Sequence, residues 1–180
     1  IAERGGTRPD AVTLSRRHFG TDAADEQGAI QQGLVSIDGS EGASIQLGSC
    51  CHPIPGDDIV GYLGRGEGLT VHTAECTVGK RLYERDRERW LPVEWSEQPV
   101  RLFETLISVL VQNGKGVLAR VAAAVSGAEA DIIHLDMGDE PASESAELRL
   151  LLSVRDRQHL ADVLRTLKRA PSVLRVSRVK

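Results

Sequence analysis

Aromatic residues are scarce in this 180-residue chain: Phe19, Tyr62, Tyr83, Trp90, Trp95 and Phe103 are its whole stock, 3% of the total. A sheet paved with rings for stacking single-stranded RNA is therefore not expected, and the core must be aliphatic. Long apolar runs are missing too. No stretch approaches the roughly 18 to 20 residues a membrane span needs, and no charged start with an apolar run behind it marks a secretion signal. The chain accordingly reads as cytoplasmic, with no membrane partner. Cysteines number only three, and Cys50 and Cys51 are neighbours that do not readily bond to each other, which disfavours a secreted disulfide scaffold. Methionine is nearly absent: Met137 is the only one and none stands before Ile1, so the chain reads as a piece of a longer protein. What remains is ordinary for a globular chain, with 41% hydrophobic and 27% charged residues, long enough for one domain or two small ones.

Charge is unevenly spread. The formal net charge is -4, but residues 1–99 hold 10 Lys/Arg against 16 Asp/Glu, whereas residues 149–180 hold 9 basic against 2 acidic groups. A basic end on an acidic whole permits contact with a polyanion without requiring it, and a solvated helix face has the same composition.

Three stretches follow along the chain. Residues 1–28 read as the end of a helical segment running into a polar, acidic linker. Residues 29–98 read as a small module rich in strands. Leu34–Ile37 and Ala43–Leu47, separated by Asp38-Gly39, suggest a hairpin; 59–63 and 69–71 suggest two strands joined by a glycine-rich turn; Glu75–Leu82 suggests one short helix. The run Tyr83–Arg89 alternates in sign and reads as solvated. Residues 99–180 are more regular. Strands are expected over Leu102–Val111, Asp131–Met137, Ala146–Val154 and Val173–Val179, with a turn at 138–141 between the second and third. A first helix is expected over Val117–Val125 with Val117, Leu118, Val121, Ala122 and Val125 on its packed face. A second is expected after an Asp156 N-cap, with His159, Leu160, Val163, Leu164 and Leu167 as its stripe. The order βαββαβ is the ferredoxin-like split arrangement, so the fold class is α+β, a small mixed module before a ferredoxin-like domain. Such a fold does not define a function.

Two sets of residues carry chemistry. Cys50, Cys51, His72 and Cys76 offer three thiolates and an imidazole, the soft donor set of a closed structural zinc site. Adjacent residues of an extended strand point to opposite faces, so Cys50 and Cys51 can share a metal only if the backbone bends there, which Gly48 and Pro53 allow; His52 is a fallback ligand. A buried Cys51 with two free thiols, and an oxidation-sensitive thiol pair, are the alternatives. A Cys–His nucleophile lacks an orienting partner, and no Walker loop, HExxH or metal-spaced carboxylate cluster is present. The second set is Asn113, Gly114, Lys115, Gly116, Val117 and Leu118, where a strand turns into a helix. Unpaired N–H groups at a helix N-terminus suit a carboxylate, and the aliphatic pair suits a small side chain, so the turn is either an amino-acid site or an ordinary connection.

The string Cys50-Cys51-His52-Pro53-Ile54-Pro55-Gly56-Asp57, then Gly66 to His72 and Cys76, resembles the conserved-cysteine module of the RelA/SpoT homologue (Rel) stringent-response enzymes. Val93-Glu94-Trp95 falls where that family leaves the module. The last 80 residues, with Val154-Arg155-Asp156-Arg157 before the final helix, resemble its terminal ACT domain. The resemblance implies a parent that makes (p)ppGpp from ATP and GTP or GDP, a GTP pyrophosphokinase, and that in the bifunctional branch also hydrolyses it. Manganese and magnesium would then belong only to catalytic domains preceding Ile1, and this regulatory region would be inactive alone. It further implies that Cys50, Cys51, His72 and Cys76 are the metal positions, with zinc as the candidate. The implied partners are the ribosome, through ribosomal RNA with deacylated tRNA in place, and a second copy of the ACT domain. The turn Asn113–Leu118 would be a valine or isoleucine site, from which its Asn113 and Lys115 depart, since an acidic residue or proline is common there.

Overall fold

The computed structural model describes residues 34–138 and 143–180. The expected helical and linker segment 1–28, residues 29–33, and all but Gly138 of the turn expected at 138–141 lie outside the described residues. The chain divides into two compact units, Ile1–Pro53 with Asp57–Arg101, and Ile54–Gly56 with Leu102–Lys180.

The first unit is built from β1 (Val35–Ile37), β2 (Ile45–Leu47), β3 (Ile59–Leu63), β4 (Leu69–Thr73), helix α1 (Thr77–Arg85) and β5 (Trp90–Trp95). Its sheet has the order β1-β5-β3-β4-β2. β3 and β4 form the expected hairpin, running from Ile59 opposite Thr73 to Leu63 opposite Leu69. The hairpin expected between residues 34–37 and 43–47 does not form. Instead β1 pairs parallel with β5, and β2 pairs parallel with β4 at the other edge. The cause is local. The Glu41 carboxylate accepts from the backbone N–H of Asp38 (2.5 Å) and Gly39 (3.0 Å), and Asp38 accepts from the N–H and hydroxyl of Ser40. These bonds use the donors that a two-residue hairpin turn would direct elsewhere, and a 3₁₀ turn at Gly42–Ser44 then carries the chain away. Seven residues, 38–44, thus join the two edges of a five-stranded sheet. Side chains from both edges share one core, Val35 and Ile37 with Ile45, Leu69, Val71, Leu91 and Val93, so the sheet coils about that core. Pro92 lies where β5 passes from pairing with β3 to pairing with β1, a point at which a missing N–H is tolerated.

The second unit runs β6 (Phe103–Gln112), α2 (Val117–Gly127), β7 (Asp131–Met137), β8 (Ser145–Val154), α3 (Arg157–Arg169) and β9 (Val173–Arg178). This is the ferredoxin-like βαββαβ order, and the four strands form an antiparallel sheet in the order β7-β8-β6-β9. Alternation decides which face is covered. Phe103, Ile107, Val109 and Val111 on β6, with Leu148, Leu150, Leu152 and Val154 on β8, are buried together with Val121 and Val125 of α2 and Leu160, Val163 and Leu167 of α3. The stripe of α2 is narrower than its sequence suggests. Leu118 is 42% exposed and Ala122 is also exposed, so only Val117, Val121 and Val125 face inward. Asp156 caps α3, accepting from the His159 N–H at 2.8 Å. The buried His159 ring bridges two segments: Nε2 donates to the Ala128 carbonyl (2.8 Å) and Nδ1 accepts from the Arg155 N–H (3.1 Å).

One core position is polar. Thr105 is fully buried opposite Leu152 and its hydroxyl has no hydrogen-bond partner. A buried, unmatched hydroxyl costs about 1–3 kcal/mol, whereas a methyl there needs no partner. Thr105→Val is therefore expected to raise the denaturant midpoint of the second unit by the equivalent of about 1 kcal/mol, and Thr105→Ser to lower it.

Candidate metal centre

Three chain segments converge in the first unit. Cys50 and Cys51 follow β2, His72 is the penultimate residue of β4, and Cys76 is the N-cap of α1. The bend that two adjacent ligands require is present. Gly48 donates to the Val71 carbonyl at 2.8 Å, tying the loop to β4; its own carbonyl accepts from Cys51 (3.3 Å) and His52 (2.8 Å), and His52 is left-handed at φ 45°. This tight turn brings both thiols to one side. Gly48 also has to be small, because a Cβ there would lie 2.9 Å from His72 Nδ1, the ring nitrogen that faces the sulfurs.

The four donor atoms lie within 4.8 Å of one another. Cys50 Sγ is 3.3 Å from His72 Nδ1, 3.5 Å from Cys76 Sγ and 3.9 Å from Cys51 Sγ. His72 Nδ1 is 3.8 Å from Cys51 Sγ and 3.7 Å from Cys76 Sγ. A tetrahedral zinc with Zn–S of about 2.3 Å and Zn–N of about 2.0–2.1 Å requires S···S edges near 3.8 Å and S···N edges near 3.6 Å. The side chains thus already outline the polyhedron, and the donor set fits zinc. His52 is not among the clustered donors.

Backbone amides prepare the sulfurs. The Thr73 N–H donates to Cys51 Sγ and the Gly79 N–H to Cys76 Sγ, each at 3.4 Å. Burial pushes the Cys50 thiol up to about 12, helped by its hydrogen bond to Cys76 and the neighbouring sulfurs, and burial likewise raises Cys51. For Cys76 burial also opposes ionisation, but the Gly79 N–H and the thiols of Cys50 and Cys51 outweigh it, so its value is lowered. Burial lowers His72, which keeps the imidazole neutral and its Nδ1 lone pair available. A metal held by these four residues would have no open position for water, so its chemistry is cross-linking of the module rather than catalysis.

The turn Asn113–Leu118 connects β6 to α2. Gly116, left-handed at φ 75°, stands at the helix start, where no side chain caps it. Val117 points into the core and Leu118 is exposed, so the aliphatic pair is split. Asn113 turns the other way, its Nδ2 donating to the Ser143 carbonyl, and it shares a polar cavity of about 300 Å³ with Asp136, Glu147 and Arg149.

A second group of residues carries no signal in the sequence. The Trp90 ring packs against Tyr62 at 5.4 Å, Tyr83 at 5.8 Å and the ligand His72 at 6.2 Å. Half of the chain's six aromatic residues are gathered here. Only the strand register, which sets Tyr62 opposite Trp90, and the end of α1, which delivers Tyr83, bring them together.

Comparison with known proteins assigns both units. Residues 35–96 match the RelA/SpoT RIS domain and residues 100–178 match the ACT domain. The chain is 32% identical over 179 residues to the bifunctional (p)ppGpp synthase/hydrolase SpoT of Escherichia coli K12, covering 99% of this chain and 25% of that protein. It is 29% identical over 191 residues to the bifunctional (p)ppGpp synthase/hydrolase RelA of Mycobacterium tuberculosis, covering 99% and 24%. The chain thus spans about a quarter of the length of these curated relatives. Among solved structures, the ACT domain of the Chlorobium tepidum GTP pyrophosphokinase aligns with 43% of the chain and 99% of its own length, at 15% identity and a TM-score of 0.38.

Proposed function

Since the chain belongs to the RelA/SpoT homologue family, as a regulatory C-terminal region, we propose that it relays ribosome and amino-acid status to catalytic domains that make and hydrolyse (p)ppGpp. The observation that carries this reading is the four-donor cluster within a unit matching the RIS domain. In this reading zinc at Cys50, Cys51, His72 and Cys76 holds the module in the shape that docks on ribosomal RNA when a deacylated tRNA is bound. The basic segment Arg149–Lys180 adds phosphate contacts. Manganese and magnesium serve the catalytic domains, not this region, which is cytoplasmic and without enzymatic activity of its own. The exposed edge strand β7, with Ile133, Leu135 and Met137 uncovered, suits pairing with a second ACT domain.

Amino-acid sensing would act through the turn Asn113–Leu118, with valine or isoleucine shifting a domain equilibrium by binding its two states unequally. The burial of Val117 leaves Leu118 as the one exposed apolar side chain of that turn, which favours a second reading: docking and dimerisation without small-molecule sensing. Co-sedimentation with ribosomes carrying deacylated tRNA, paired with calorimetry in valine, separates the two. Both signals support relay with sensing. Sedimentation without heat supports the second reading. Absence of sedimentation at low salt overturns both.

A further inference from the structure

A groove of about 300 Å³ opens beside the metal centre, lined among others by Val60, Thr73, Lys80, Tyr83, Trp90 and Pro92. Its size is at the lower end of small-ligand sites, which run from about 300 to 1,000 Å³. Three features define what would fill it. Tyr83 and Trp90 meet edge to face at 5.8 Å, so the groove offers flat π surface as well as aliphatic wall. Thr73 is 7% exposed and its hydroxyl has no hydrogen-bond partner, and the indole N–H of Trp90 is buried and likewise unmatched. Native proteins rarely leave such groups orphaned, and two orphans in the wall of one groove indicate that a partner for them comes from outside the chain. Finally, Lys80 lines the groove from α1, which also carries Arg81 and Arg85, and none of the three has an ion pair among the described residues.

We propose that this groove binds a nucleobase bearing a phosphate: the flat heterocycle lies against Tyr83 and Trp90, its edge acceptors meet the Thr73 hydroxyl and Trp90 N–H, and the phosphate reaches Lys80. An aliphatic side chain would leave both orphans unmatched, and a bare phosphate would make no use of the rings. The base has two possible sources, a free nucleotide or an unpaired position of an RNA strand. The second source rests on the RNA-docking reading above; the first does not. The groove shares residues with the metal centre, since Thr73 and Gly79 donate to the ligand sulfurs and Trp90 packs on His72, so its shape depends on an intact cluster.

The test uses the whole chain with one equivalent of zinc and follows tryptophan emission during titration with AMP, GMP, a short unstructured oligoribonucleotide, ribose 5-phosphate and indole-3-acetate. Base-containing probes are expected to quench emission saturably and ribose 5-phosphate not to. Tyr83→Ala, at an exposed position, should weaken base binding about tenfold, and Thr73→Val about fivefold. Lys80→Gln should weaken it and flatten its salt dependence. Equal affinity for AMP and the oligonucleotide identifies a free nucleotide as the source, and binding of the oligonucleotide alone identifies an RNA strand. The proposal is overturned if no base-containing probe binds, if ribose 5-phosphate or indole-3-acetate binds as tightly as the nucleotides, or if Tyr83→Ala and Thr73→Val both bind like the unaltered chain. Ribosome co-sedimentation of the same variants keeps the failures apart: loss of base binding with sedimentation retained removes the groove and leaves the docking reading standing.

Discussion

Replacing Cys76 by serine is expected to abolish stable metal binding and to unfold much of the first unit. A structural zinc contributes about 10–16 kcal/mol through four ligands, so the share of one ligand is roughly 3 kcal/mol or more, a hundredfold or greater loss of affinity. Cys76 has a second role that magnifies the effect. Its sulfur is also the N-cap acceptor for the Gly79 N–H, so the substitution disturbs the start of α1 as well as the centre. Cobalt(II) provides the readout: the unaltered chain should show the intense visible bands of a tetrahedral thiolate site, and Cys76→Ser, Cys51→Ser and His72→Ala should each lose them. Proton release gives an independent check. Burial holds the Cys50 and Cys51 thiols protonated at neutral pH, so loading zinc must displace those protons, and affinity must fall as pH falls. Calorimetry in buffers of different ionisation enthalpy measures the number displaced. A pH-independent affinity without proton release would mean that the thiols are not the ligands.

Gly68→Ala is the second large effect, and its neighbour is the control. Gly66 and Gly68 flank the tip of the β3–β4 hairpin, and both are left-handed, at φ 81° and 83°. An added Cβ at Gly66 meets nothing within 4 Å, whereas one at Gly68 would lie 2.6 Å from the Ser44 carbonyl oxygen, a backbone atom just before β2. Gly66→Ala therefore incurs only the left-handed strain of about 1–2 kcal/mol. Gly68→Ala adds a clash that requires the loop preceding β2 to move, for a total of about 3–5 kcal/mol. Because β2 leads into Cys50 and Cys51, the clash should also weaken zinc binding. Chemical denaturation of both variants, with and without metal, checks the pair; equal losses at the two positions would show that strain alone matters.

The second unit was legible from its residues because local signals agree with the global fold. Alternation along β6 and β8, the Asp156 cap and the stripe of α3 each imply the element that forms. The four donors were legible as a set because thiolates and imidazole at such spacing have few other uses. The first unit was less so. Its strands are short, and the pairing of β1 with β5 and β2 with β4 spans tens of residues, so no local pattern distinguishes it from the hairpin that Asp38-Gly39 suggests. The hydrogen bonds of Glu41 decide against that hairpin, and their effect becomes visible only once the backbone is placed.

Composition and spacing alone therefore determined an aliphatic core, two modules, the βαββαβ order and a soft four-donor set, since each depends on residue type and short-range periodicity. Tertiary structure decided whether adjacent cysteines can face one point, through the turn at Gly48 and the left-handed His52. It also decided that Val117 belongs to the core and Leu118 does not, because the helix meets the sheet along a narrower face than its sequence offers. And it gathered three of six scarce aromatic rings around one groove. The scarcity excludes a stacking sheet, but a single slot needs only two rings, and cross-strand register rather than composition determines where they meet.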